Sequence, residues 1–288
     1  MRPISLLLLL FLCTFALLQT TRARQDTSSV KKPQRLILKD GSELIGNLVA
    51  EDSVQLEFKT LSGISMKIPR SQIKETERLA GEIVAGEFKR YDPNRTRLFF
   101  APTGRALKQG EGYFSAYQIF FPFLAVGVTD FVSLAGGISL LPGADEQIYY
   151  FAPKVTPLHL EKVDISAGML YINATGSDFS GVGILYGVGT YGTQEAALTA
   201  GLGWGFAQGE VAHKPVLMLG GELRVSNSVK LLTENWFPPG TEIFIYSFGI
   251  RFFGESLAAD LGFIGISKST GGFPFIPWVG FAYNFGAK

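Results

Sequence analysis

The sequence predicts an all-β protein: an antiparallel transmembrane β-barrel of about twelve strands, preceded by a small soluble β domain of barrel-like shape. Three observations lead there. The chain is 47% hydrophobic, yet beyond the N-terminus its longest apolar run, residues 120–128, falls far short of the ~20 residues a membrane helix needs. Segments of strand length alternate bulky residues with small ones. The chain also opens with an export signal.

Arg2 precedes an apolar stretch over 4–18, and Thr21-Arg22-Ala23 places small residues at both recognition positions. This is the pattern of a secretory signal, residues 1–23, removed after Ala23; a retained signal anchor is the alternative. Cys13 lies inside the apolar run rather than at its end, which argues against lipid modification. It is the single cysteine, so no disulfide framework exists. Removing 1–23 takes away Arg2 and Arg22 and leaves 24 basic against 25 acidic residues, a net charge of −1. Such a chain has no electrostatic pull towards nucleic acid, and no nucleic acid partner is expected.

Residues 24–32 are polar and without period, a flexible lead. Beyond them the composition falls into two zones. Residues 33–91 hold 18 charged residues and five Gly, whereas the longer stretch 96–288 holds 25 charged residues, 29 Gly and 20 Phe. The change falls at Tyr91-Asp92-Pro93-Asn94, which reads as a linker. The domains are therefore 33–91, facing water, and 92–288, the barrel.

In the first zone, 35–39 and 43–49 form a hairpin around Asp40-Gly41. Residues 54–60 and 64–68 alternate apolar with polar, the period of a half-buried strand. Residues 73–85 are charged with scattered apolar positions and read as a short helix. The pattern L-x-D-G-x-x-x-x-G, followed by two alternating strands and Ile68-Pro69-Arg70-Ser71-Gln72-Ile73, resembles the Sm-like barrel family over residues 34–77. No RNA-binding role is carried over, because Phe58 is the one aromatic residue there to stack a base. A periplasmic protein partner is expected through 33–91.

The second zone divides into strands at 96–103, 112–124, 131–142, 148–158, 163–174, 180–191, 196–208, 215–226, 229–238, 241–253, 257–268 and 275–285. In 196–207, Leu198, Leu202, Trp204 and Phe206 alternate with Ala197, Thr199, Gly201, Gly203 and Gly205. A water-facing strand would show Lys, Glu and Gln on its second face. Gly, Ala and Ser there fit a barrel interior, with the bulky residues in lipid. Tight turns at 127–130, 159–162, 192–195, 227–228 and 254–256 alternate with longer ones at 104–111, 143–147, 175–179, 209–214 and 269–274; the turn at 239–240 is the exception. Tight turns normally face the periplasm, which puts both barrel ends and residues 33–91 on that side.

The last strand carries Phe281, Tyr283 and Phe285. With the stretch 92–105 and Gly110-Glu111-Gly112-Tyr113, the zone resembles an uncharacterised family of Bacteroidota-like outer-membrane β-barrels. That resemblance implies fold and location, with outer-membrane lipid as the surrounding partner, and no activity.

Catalytic signals are weak. The glycines of 181–183 and 201–205 alternate like strands and form no phosphate loop. His159 and His213 fall in turns on opposite sides of the membrane. No cofactor, metal or enzyme activity is expected. The catalytic alternative is a lipid-acting enzyme with His213 as base beside Glu210, and Ser180 or Ser269 as nucleophile. By strand parity Asp164, Glu222, Arg224, Lys230, Glu234, Arg251 and Asp260 point into the lumen, with Lys154. Glu222 or Glu234 can reach Arg251, and Arg251 can reach Asp260. Such a cluster is either an interior ion-pair network or the polar constriction of a solute channel. The small residues Gly137, Gly183, Gly187, Gly201, Gly203 and Gly205 leave one side of the lumen empty, with nothing to plug it. Two functions follow: a structural or scaffolding barrel whose 33–91 region binds a partner, or a narrow passive channel for small polar solutes.

Overall fold

A computed structural model describes residues 33–176, 181–268 and 275–286. The export signal and the lead lie outside the described residues.

Residues 33–78 form one antiparallel sheet of β1 (Gln34–Leu38), β2 (Glu43–Glu51), β3 (Gln55–Thr60), β4 (Ser65–Pro69) and β5 (Ile73–Arg78), in the order β4-β3-β2-β1-β5. Leu36, Phe58 and Ile68 meet in its core. The helix expected over 73–85 is absent. Residues 73–78 pair with β1 instead, where Arg35 lies opposite Glu77 and bonds it at 2.9 Å. A charged strand is stable when its cross-strand neighbours carry the opposite sign. A small hairpin follows, β6 (Gly81–Val84) with β7 (Glu87–Arg90).

The barrel strands are β8 (Gly112–Tyr117), β9 (Phe121–Gly127), β10 (Val132–Ile138), β11 (Ile148–His159), β12 (Val163–Ala174), β13 (Val182–Gly192), β14 (Ala196–Ala207), β16 (Val216–Ser226), β17 (Val229–Phe237), β18 (Ile245–Phe253), β19 (Leu257–Ile266) and β20 (Phe275–Phe285). The two-residue β15 (Glu210–Val211) only folds back on the end of β14, pairing with Phe206 and Ala207. Each strand pairs antiparallel with the next, and β20 pairs with β8, so twelve strands close without an edge. The outer surface is apolar: Phe114, Leu124, Leu198, Trp204, Phe248, Leu261 and Phe281 are exposed.

Two expectations fail here and cancel in the count. Residues 96–103 are not a wall strand. The segment 112–124 is two strands, broken at Gln118 and Ile119, whose left-handed backbone (φ 46° and 67°) turns the chain without glycine. The turns at 128–131, 160–162, 193–195, 227–228 and 254–256 lie on one side with both barrel ends. The opposite side carries 139–147, 175–176, 208–215, 238–244 and 267–268, so the turn at 239–240 is no exception after all. The short hairpin at 118–120 is the exception instead.

Candidate functional site

Residues 92–107 enter the lumen and fill the half nearest the tight turns. Asp92, Asn94, Leu98, Ala101 and Thr103 have no exposed surface, and Phe99 has almost none. The linker expected at 91–94 is therefore interior, and the lumen expected to be unplugged is plugged. The segment folds back at Phe99-Phe100: Leu98 N–H donates to the Ala101 carbonyl at 2.9 Å, and Thr103 N–H to the Thr96 carbonyl at 2.9 Å. Most of its other backbone groups have no strand partner, and buried backbone groups must be paired. The wall supplies the partners.

The charged residues do this. Arg251 donates to the carbonyls of Asn94 (2.8 Å), Arg97 (3.1 Å) and Leu98 (2.7 Å). Glu234 accepts from the N–H groups of Phe100 (2.9 Å) and Ala101 (3.0 Å). Lys154 donates to the carbonyls of Thr103 (3.2 Å) and Arg105 (2.6 Å). Thr190 accepts from Gly104 N–H, and Ser166 donates to its carbonyl.

Ion pairs complete the seal. Asp260 holds Arg251 at 2.6 Å and Arg97 at 2.9 Å. Asp92 lies between Arg251 (3.2 Å) and Lys230 (3.3 Å). Glu222 takes Lys230 at 3.1 Å and Arg105 at 2.7 Å. Of the sequence-level cluster, Glu222, Lys230, Arg251 and Asp260 thus meet in one network, joined by Arg97, Arg105 and Asp92 from the plug. Glu234 does not reach Arg251; it binds plug backbone and the Trp236 indole N–H at 2.8 Å. Arg224 sits at the rim, ion-paired with Glu195 and donating to the Arg90 carbonyl. Asp164 pairs with His159. The plug's rim end is tied by Arg95 to Glu111 at 2.7 Å. Burial alone would raise the Glu111 carboxyl. Arg95 and the Lys108 N–H outweigh it and hold that group below the usual carboxylate range.

The other half of the lumen is different in kind. Above the plug lies a cavity of about 430 Å³, lined chiefly by Tyr117, Phe123, Tyr150, Tyr186, Trp236 and Trp278. The plug's tip residue, Phe100, faces it, 44% exposed, with its ring 5.9 Å from that of Tyr117. Of the polar lining groups, Arg97 and Lys154 are already engaged at the floor, whereas Thr96 Oγ1 and the Trp278 indole N–H have no hydrogen-bond partner. The expectation that small residues line the interior holds only in part. Gly201 and Gly203 do line it. Gly187 lines it as well, through its backbone, whereas Gly183 does not, since the buried Val188 and Thr190 fix the inward parity of β13 on the even positions. The aromatic lining was readable by the same parity: Trp236 lies two residues from Glu234, and Trp278 two from Gly280.

For the catalytic alternative, Ser180 and Ser269 lie outside the described residues. His213 and Glu210 are exposed on the 208–215 turn.

No protein-family model and no curated protein sequence matches the chain. Among solved structures it is similar to the KdgM porin at 10% identity and TM-score 0.46, covering 61% of this chain and 98% of that one. The NanC porin gives 7%, 0.39, 60% and 97%, and the Acinetobacter baumannii outer membrane protein Omp33 gives 10%, 0.34, 61% and 95%. The architecture stands on the chain's own strand pairing.

Proposed function

We propose that the protein is an integral outer-membrane β-barrel of the channel kind, whose lumen is a surface-facing chamber for a small apolar molecule. Its own residues 92–107 shut that lumen towards the periplasm. One observation carries the reading: the lumen is divided, with a fully buried ionic floor on the tight-turn side and an apolar, aromatic cavity on the other. A cavity of about 430 Å³ with apolar walls and few polar groups is the ordinary form of a small-molecule site. A pure scaffold has no use for one. The closed ring and its apolar outer surface are what lipid demands of a spanning sheet.

A channel for polar solutes is the second reading. It is favoured by the way the plug is held, through ion pairs and hydrogen bonds rather than as part of the wall. If the plug moves aside, Glu222, Lys230, Glu234, Arg251 and Asp260 line the passage. Planar-bilayer recording of the purified protein separates the two. The sealed chamber gives no steady current in the wild type. Glu234→Ala strips two plug N–H groups of their acceptor and produces intermittent openings. A large steady wild-type conductance overturns the sealed reading.

A further inference from the structure

The wall around the apolar chamber is not of even height. Strands β11, β12 and β14 are 12 residues long, whereas β8 has 6 and β9 has 7. At ~3.4 Å per residue, β8 climbs only about 20 Å along its own axis. A tilted strand needs ~9–11 residues to cross a bilayer. The shortfall lies at the long-turn end, because β8 pairs with Gly280–Phe285, the final part of β20. Among the described residues, Phe275–Val279 has no strand beside it on that side.

An open sheet edge inside a membrane is normally forbidden, since its N–H and C=O groups lack water. Over Pro277–Val279 the edge is chemically finished. Gln118 N–H donates to the Val279 carbonyl at 2.9 Å, and the Gln118 side-chain oxygen accepts from Val279 N–H at 3.0 Å. The Gln118 side-chain amide donates to the Pro277 carbonyl at 2.8 Å. Residue 277, being proline, has no N–H to leave unpaired. One glutamine and one proline thus close the edge over Pro277–Val279 without adding strand. The hairpin is also kept short at a cost. Ile119 is β-branched and sits at φ 67°, a conformation that such residues avoid.

This notch lies beside the cavity. Gln118, Tyr117 and Phe121 line the chamber from the hairpin, while Phe114, Ile119 and Phe120 of the same strands and turn are exposed on the outer side. We propose that the chamber opens sideways into the bilayer above the β8–β9 hairpin, and that this portal admits a hydrocarbon chain dissolved in the membrane. The proposal rests on the reading of the lumen as an apolar binding chamber. A hydrocarbon chain is the occupant that the walls specify. The amide of Gln118 is already committed at the sill, so a polar ligand entering there loses its water without gaining a partner.

The chain carries its own reporters. Its three tryptophans are Trp204, exposed on the outer face, and Trp236 and Trp278, which line the chamber. Full-length Trp204→Phe protein is placed in phosphatidylcholine vesicles with acyl chains brominated near their middle. The portal predicts that the remaining emission falls at least twofold relative to unbrominated vesicles. Ala152→Leu in the same background narrows the chamber and restores the emission; Gly201→Leu is a second filling variant should the first fail to fold. Quenching that survives both fillings acts through the wall and overturns the portal. A separate arm adds a small brominated alkane from water to protein in unbrominated vesicles. Quenching by the alkane but not by the brominated lipid overturns the portal and leaves the chamber standing. Quenching by neither overturns both.

Discussion

Arg251 on β18 and Asp260 on β19 face each other across the ladder and are joined by two bonds, Nε to Oδ1 at 2.6 Å and Nη2 to Oδ2 at 3.0 Å. Neither residue has any exposed surface. The pair would be an ordinary interior ion pair if it stopped there. The Arg251 guanidinium also carries three plug carbonyls, and Asp260 also carries Arg97. The wall pair is therefore the clasp of the plug.

Arg251→Met should cost about 3–5 kcal/mol, because it leaves Asp260 and Asp92 buried with a cation missing. Urea unfolding in detergent micelles measures this. A loss below about 1 kcal/mol would show that the plug does not depend on the clasp.

Gly104 is seated so closely that a Cβ there would collide with the backbone carbonyl of Asp164 and come within 3.0 Å of Thr190 N. Gly104→Ala should cost about 1–3 kcal/mol through overpacking against backbone that cannot give way. It should also raise the rate of brief openings in bilayer recordings. An alanine variant with wild-type stability and a silent bilayer would contradict the seating.

Ile119→Gly should leave stability unchanged or raise it by up to about 2 kcal/mol. The strain at its positive φ disappears, partly offset by the greater freedom of glycine in the unfolded chain. Ile119→Val, which keeps the branched Cβ, should bring no gain. The urea midpoints of the two variants make the comparison.

Acid should loosen the rim end of the plug first. Glu111 titrates below the usual glutamate range in the folded protein, so its contribution is present above that range. It is lost as pH falls through the lowered folded value. Glu111→Gln should remove this part of the pH dependence, read as a flatter plot of unfolding midpoint against pH.

The barrel was legible in the sequence because lipid and lumen impose a period of two on nearly every strand. The count of twelve survived through compensation. Residues 96–103 resembled a strand because Arg97, Phe99 and Ala101 alternate with Leu98 and Phe100, yet their partners are side chains of the wall. The break at 118–120 was hidden because Gln-Ile-Phe carries no glycine, asparagine or proline. Strand parity put Arg251 beside Asp260, neighbours in the hairpin of β18 and β19. It could not put Arg251 beside Leu98, since no periodicity links an irregular segment to a strand some 150 residues away. The rule that bulky residues face lipid failed where the interior itself is apolar, as at Tyr186 and Trp236.

The meeting of β8 and β20 has a consequence for assembly. These are the first and last strands of the ring, and all 6 residues of β8 take part in joining them. The plug precedes every wall strand in the chain, while Arg251 and Asp260 stand on strands near its end. During synthesis and insertion the plug thus waits for its clasp until most of the wall exists. Closing the seam, the contact of greatest sequence separation in the ring, is coupled to burying those charges. A barrel that fails to seat its plug is left with unpaired charge inside and a seam of only 6 paired positions to hold the ring shut.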